Sequence, residues 1–410
     1  MSRMLDLVRK GLSSGTADSP APRKPRRRAR AQGGEPRPGW TIEEQGEAQR
    51  FIRDPGLIPP HRDARPDTAV LGDLLEYDYI IVQFSGGKDS IAALLHLLDL
   101  GVPLSKIELW HQNVDGDPKD GTIMDWPVTE SYCRAFAAAF GVSIRFQWKV
   151  GGIIGEARKQ NARTAPTMIE VEPGRHISVG GERGTIGTRR MFPAKSADLR
   201  TRWCSAVAKI DVSSKQITND PRFNTRIHGP MSILVVTGER REESGNRARY
   251  AEVEKGRGHT QKRTVVQWRN VLGWNEAKVW STLRRWGVAP HPVYAAGYGR
   301  ASCALCIFGG KDEWATARQL LPDQFDLVAG LERDFGHTIH GRTRTINKER
   351  MHIPVPVGEL ADKGQSLITD AERRAAARQL SNPVYTGEIL IDPRDWRLPG
   401  GAFHRTAGPT

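Results

Sequence analysis

A serine, two glycines, a lysine, an aspartate and a second serine follow one another at Ser85-Gly86-Gly87-Lys88-Asp89-Ser90. Glycines let the backbone turn sharply and close its N–H groups on an anion, and the lysine adds a full positive charge. That is equipment for holding phosphate. A second group, Gly238-Glu239-Arg240-Arg241-Glu242-Glu243-Ser244 with Arg247, interleaves cations with acids. Arg240 and Arg247 stand seven residues apart, two turns of a helix, so both would face one ligand, with Glu243 orienting one of them. The plain alternative is a solvated helix start laced with Glu–Arg pairs. The third group is sulfur. Cys303-x-x-Cys306 is spaced as a metal-ligand pair or a redox pair, and Cys204 lies upstream. The remaining cysteine, Cys133, falls on the apolar face of a helical pattern and reads as core. Four cysteines in 410 residues do not make a disulfide scaffold.

The elements that must carry these groups can be read from periodicity. Residues 79–84 are apolar at nearly every position, as in a strand buried on both faces, and they run straight into the first group. A helix is expected over 89–100, with Asp89 or Ser90 as its N-cap and its positive dipole end aimed at the same anion. Further strands are expected at 107–112, 143–148, 233–237 and 265–268, and further helices at 128–140, 199–217 and 275–286. Such alternation implies right-handed βαβ crossovers and a doubly wound parallel sheet, a Rossmann-like α/β fold. In these sheets ligands sit beyond the carboxyl ends of the strands, where 85–90 would be. Between 151 and 195 the periodicity fades, which suggests an insertion or lid. The chain then divides into a basic arm at 1–40, an irregular lead-in at 41–75, a nucleotide-binding body at 76–320 and an extension at 321–410, helical and then turn-rich.

Net charge is +14, and the arm carries half of it: ten Lys or Arg against Asp6, Asp18 and Glu35. Residues 13–39 lack the apolar content to fold, so a disordered arm is expected, serving either as a nucleic-acid tether through phosphate contacts or as a solubilising tail. No apolar stretch reaches membrane length and the first twelve residues do not read as a secretory signal, so no membrane association and a cytoplasmic location are expected.

The loop is not of the G-x-x-x-x-G-K-[ST] type, because Val82 stands where that pattern needs glycine and Asp89 where it needs a hydroxyl. Ser-Gly-Gly-Lys-Asp-Ser after a strand instead resembles the PP-loop of the adenine nucleotide alpha-hydrolase superfamily. The segment Gly238-x-Arg240-x-x-Glu243-Ser244-x-x-Arg247 is similar to the signature of its phosphoadenosine phosphosulfate reductase-like branch. So are His291-Pro292-Val293-Tyr294-x-x-Gly297-x-x-Arg300-x-Ser302-Cys303-x-x-Cys306, where Ser302 replaces a usual glycine, and Arg202-Trp203-Cys204 with Lys209.

This resemblance implies an enzyme that splits ATP between its α and β phosphates. Residues Ser85 to Ser90, Gly238, Arg240, Glu243 and Arg247 would hold the nucleotide, with Mg²⁺ bridging its phosphates. Lys88 and Arg240 would stabilise the leaving pyrophosphate as AMP passes to a substrate oxygen, and Asp89 would bind the metal or merely cap the helix. Cys204, Cys303 and Cys306 would hold a [4Fe–4S] cluster with one open iron, zinc and unliganded thiols being the alternatives. Sulfide on the cluster, or a persulfide on one of these cysteines supplied by a donor such as a cysteine desulfurase, would then displace AMP. A true sulfonucleotide reductase alters the glycine–lysine loop and uses a late cysteine. Here Lys88 is intact and no cysteine follows Cys306. The motifs thus favour the ATP-dependent sulfurtransferases, of the DNA-phosphorothioation and tRNA-thiolation kind, with nucleic acid as the expected substrate. Sulfonucleotide reduction and a non-catalytic nucleic-acid-binding module are the two other readings.

Overall fold

The computed structural model describes residues 71–346 and 349–404. The arm expected at 1–40 and all but the end of the lead-in lie outside them.

The apolar run forms strand β1, Tyr79–Gln83, followed by helix α1, Lys88–Asp99. Strand β2 spans Ile107–Asn113, helix α2 Thr129–Phe140 and strand β3 Ser143–Lys149. Short helix α3, Gly152–Arg158, leads to strands β4, Thr167–Glu172, and β5, Arg175–Val179. Helix α4, Asp211–Asn219, continues a turn at Trp203–Ser205 and a π-helical stretch at Ala206–Ile210. Strands β6, Met231–Val236, β7, Val253–Lys255, and β8, Arg263–Trp268, precede helix α5, Glu276–Arg285, whose N-cap Asn275 accepts from the Lys278 N–H.

These strands form one sheet in the order β5-β4-β3-β2-β1-β6-β8-β7. Strands β3, β2, β1, β6 and β8 are mutually parallel, and the order reverses between β2–β1 and β6 as in a doubly wound fold. The sheet is therefore mostly parallel rather than wholly so. The insertion adds β4 and β5 antiparallel beyond β3, and β7 pairs antiparallel with β8. Both faces are covered, which is why the centre of β1, Ile80 to Val82, is apolar. Ile80 and Val82 pack with α1, α2 and α5, while Ile81 joins Trp110, Ile217, Phe223, Ile233 and Val265 on the opposite face.

The remaining chain forms helices α6, Lys311–Leu320, and α7, Pro322–Phe335, a hairpin of β9, His340–Ile346, and β10, Glu349–Val355, and helices α8, Val357–Asp362, and α9, Ala371–Leu380. The hairpin was not expected from the sequence. Trp314, Phe325 and Val357 of this region share an apolar cluster with Trp203 and Phe308. The last described residues return to the sheet: Trp396 Nε1–H donates to Val288 O at 2.7 Å, Gly401 N–H to Tyr294 O at 2.8 Å and Phe403 N–H to Glu276 Oε1 at 3.3 Å. No helix among the described residues is long and apolar enough to cross a membrane.

Candidate functional site

Beyond β1 the chain turns at Gly86, whose φ of +75° is one that only glycine adopts without strain. A Cβ there would also meet Cys133 Sγ at 3.0 Å, so α2 supports the loop from below. Gly87 is the N-cap of α1. Neither Asp89 nor Ser90 caps the helix as expected: Ser90 Oγ–H donates to Gly87 O at 2.9 Å, and Asp89 points sideways to cations. The loop amides are not all open to an anion. Gly87 N–H lies 3.4 Å from Ser85 Oγ, and Lys88 N–H donates to the Tyr294 hydroxyl at 2.9 Å.

Lys88 is not a mobile charge on the loop. It is 2 % exposed, with its Nζ 3.4 Å from Asp89 Oδ2, 3.7 Å from Glu276 Oε1 and 3.3 Å from Gly299 O. Its ammonium also lies 5.4 Å from the centre of the Tyr294 ring and 5.8 Å from that of Trp280. Burial opposes this charge, but Asp89, Tyr294 and Glu276 outweigh it and hold the lysine protonated.

Arg240 is buried beside it. Nε–H donates to Asp89 Oδ1 at 2.6 Å and a terminal N–H to Glu242 Oε2 at 2.6 Å. Burial pushes the Asp89 carboxyl up, but Arg240 and Lys88 overcome it and pull it down to about 2. Gly238 makes this approach possible, since a Cβ there would sit 2.6 Å from Asp89 O and 2.9 Å from Ser90 N. The expected two-turn helix does not form here. Arg240 stays extended to reach Asp89, and only the short 3₁₀ turns Arg241–Glu243 and Arg247–Arg249 follow. Glu243 nevertheless joins the group, accepting the Arg240 backbone N–H at 2.9 Å and pairing with Arg247. Ser85 to Ser90, Gly238, Arg240, Glu243 and Arg247 therefore lie in one connected neighbourhood.

The three upstream and downstream thiols also come together. Cys204, Cys303 and Cys306 are partly buried against one apolar cluster, and all three act electrostatically on Lys209. Lys209 projects from the π-helical stretch and is exposed on one side. Desolvation opposes its charge, and Cys303, Cys204 and Asp125 outweigh it, raising its pKa. Desolvation pushes the Cys303 thiol well up, with Lys209 countering in part. Cys133 is fully buried and packs in the core.

As to a cluster or zinc, the donor chemistry is suitable but the arrangement is not. Among the described residues no group of three or more His, Cys, Asp or Glu is placed to hold a metal ion. The residues present do not fit the expected [4Fe–4S] group.

Ser85 of the glycine loop and Cys303, one of the three thiols, face a common space. A cavity of about 60 Å³ is lined by Phe84, Ser85, Asp125, Lys209, His291 and Cys303, among others. Periodicity and motif spacing did not point to Asp115, Asp125 or Glu276. Asp115-Gly116, one residue beyond the end of β2, is the available signal, a carboxylate just past the end of a strand where ligands collect.

Residues 185–308 match the family model described as "Phosphoadenosine phosphosulfate reductase domain". The matched stretch contains Cys204, Arg240, Arg247, Cys303 and Cys306 and does not extend to the loop at 85–90. No curated protein matches by sequence. Two crystal structures of Candida glabrata FMN adenylyltransferase are similar at 12 % identity. One, with FMN and the ATP analogue AMPCPP, has a TM-score of 0.32 over 64 % of this chain and 63 % of that chain, just under two thirds of its length. The other, with FAD and inorganic pyrophosphate, has a TM-score of 0.33 over 87 % and 90 %. The chain thus carries, over 185–308, a region similar to the phosphoadenosine phosphosulfate reductase domain, set in a Rossmann-like α/β fold.

Proposed function

We propose that this chain cleaves MgATP to AMP and pyrophosphate, transfers the adenylyl group to a nucleophilic acceptor, and then exchanges the AMP for sulfur. The observation that carries this reading is the shared cavity: Ser85 of the phosphate loop and Cys303 with Lys209 line one space. An adenylate made at the loop would form beside a thiol. The working unit is residues 76–320, with 321–410 closing over it.

In this reading Ser85 to Ser90 bind the β and γ phosphates. Lys88 and Arg240, already desolvated, stabilise the charge that develops on the departing pyrophosphate, where fixed cations act most strongly. Gly238 brings the Arg240 loop against α1, and Glu243 with Arg247 braces it. Asp89 holds both cations in place between turnovers. Sulfur arrives as a persulfide on Cys204, Cys303 or Cys306, delivered by a cysteine desulfurase-like donor. Its outer sulfur displaces AMP, a second of these thiols then cleaves the S–S bond to free the product, and an external thiol reductant reduces the disulfide left behind. A nucleic acid is the acceptor class that the basic arm and folded body favour.

The test is to incubate the pure chain with MgATP and unfractionated tRNA or sheared DNA and identify the nucleotide products. AMP and pyrophosphate support the reading; ADP and phosphate refute it. Sulfonucleotide reduction is the second reading, favoured by the family match over 185–308. Release of sulfite from phosphoadenosine phosphosulfate with reduced thioredoxin, without ATP, would establish it instead.

A further inference from the structure

The loop after β2 places an unused carboxylate on the cavity. Asp115 fixes the loop: its Oδ1 accepts the Met124 N–H and its Oδ2 the Asp125 N–H, each at 2.8 Å. Asp125 is thereby held with Oδ1 accepting from Trp126 N–H at 2.8 Å and from Thr129 Oγ1–H at 3.4 Å. No hydrogen bond among the described residues takes Oδ2. The Thr129 hydroxyl is in turn 3.5 Å from His291 Nε2. His291 Nδ1 accepts the Val293 N–H at 3.2 Å, so its proton is assigned to Nε2 and the ring donates toward Thr129. One carboxylate oxygen is positioned by this chain of donors, and the other remains available.

Apart from the Lys209 ammonium, the rest of the wall is neutral. Phe84, Trp126 and Gln112 line it together with His111 and His291. Burial pushes His111 down to about 4, and burial with His111 nearby pushes His291 down to about 3, so both rings are uncharged at neutral pH. The charged and titratable groups that face Asp125 are Asp115 from its own loop, Lys209 from the π-helical stretch, Cys303 from the segment after α5, and Cys133 from α2.

We propose that Asp125 is the general base of the adenylyl transfer and that the acceptor is a neutral group bearing a removable proton, a lactam or hydroxyl rather than a carboxylate or phosphate. This rests on the reading given under Proposed function. As the acceptor oxygen attacks the α phosphorus, a new O–P bond forms and the bond to the β-phosphate oxygen breaks, its electron pair leaving on pyrophosphate. The proton of the acceptor O–H, or of the lactam N–H, passes to Asp125 Oδ2. A carboxylate acceptor would have no proton to give and would be repelled by Asp125. Two neutral imidazoles and aromatic walls suit a flat, uncharged ring.

Two measurements on the full chain test this. The first is the rate of AMP formation with unfractionated tRNA across pH 5–9. Desolvation and the Asp115 charge raise Asp125 to about 7, and a base works when ionised. The rate should therefore rise through pH 7 and level off above it. Asp125→Asn should lose about 100-fold or more and with it the rise near pH 7. An unchanged profile in Asp125→Asn overturns the proposal. The second needs no turnover: binding of uracil and of its carboxylated analogue orotate, followed by ligand-detected NMR with a non-hydrolysable ATP analogue present. Uracil should bind and orotate should not, and Asp125→Asn should remove that discrimination. Orotate binding as well as uracil, or neither binding, overturns the proposal. A wild-type chain that releases ADP while retaining the uracil preference would refute the adenylyl reading yet leave the acceptor class standing.

Discussion

Asp89 accepts the Arg240 Nε–H at 2.6 Å, tying the first turn of α1 to the loop after β6. Its second oxygen lies 3.4 Å from Lys88 Nζ, so one carboxylate holds both candidate phosphate-binding cations. Taking Lys88 away leaves Asp89 with Arg240 as its one remaining partner here and takes this buried cation from Glu276. Lys88→Ala should therefore abolish AMP formation and also destabilise the nucleotide-free fold by about 3–5 kcal/mol, read from urea unfolding. Loss of activity with unchanged stability would show that the buried pairing contributes nothing.

The same carboxylate sets a pH dependence. Asp89 is pulled from the ordinary 3.8 down to about 2 in the folded chain. A depressed carboxyl stabilises the fold above its unfolded pKa and loses that contribution as pH falls through the folded value. The difference in Tm between the wild type and Asp89→Asn should be constant from pH 7 to 5 and shrink between pH 4 and 2. A gap that persists at pH 2 would assign the effect to packing rather than charge.

Gly238 admits no side chain, since the added carbon would press on the Asp89 carbonyl and Ser90 amide, both backbone atoms of α1. Gly238→Ala should cost about 1–3 kcal/mol through overpacking, and it should slow turnover by moving Arg240 away from the loop. Thermal unfolding and AMP release are the two measurements. Equal stability to wild type would mean that the loop yields freely.

Tyr294 occupies an amide that the proposed phosphate would need. Its hydroxyl accepts from Lys88 N–H at 2.9 Å and from Ala301 N–H at 3.3 Å. Tyr294→Phe leaves both donors unpaired in the free protein and removes the competitor for the bound anion. The variant should melt lower than wild type without nucleotide, and MgATP should raise its Tm by more than it raises the wild type's. A smaller shift would make the hydroxyl a ligand of the nucleotide rather than its rival.

The parallel centre of the sheet is legible in the sequence because burial on two faces leaves the middle of β1 apolar, and the loop is legible because only glycine tolerates its turn. Helices α2 and α5 are readable from periodicity, with Gly141 and Asn275 at their ends. The strands β4 and β5 are not, since an antiparallel edge pair half-open to water carries weak alternation. The charged run after β6 is read as helix, yet the pull of Asp89 on Arg240 keeps that residue extended. Nor does local sequence reveal that Lys88 is enclosed: Tyr294, whose hydroxyl covers its amide, is 206 residues away. Asp125 is not legible in the sequence, because what distinguishes it, one bound oxygen and one available, exists only after Asp115 has shaped the loop.

The closing stretch around Phe403 reaches Glu276, and Glu276 reaches Lys88. During synthesis, then, the phosphate loop emerges from the ribosome long before its roof exists, and a nascent chain carries the motif without the finished chamber. A fragment ending near residue 390 would keep every signature residue and still lack the contact that completes the lysine's enclosure. For this protein, motif content is no substitute for a finished C-terminal wrap.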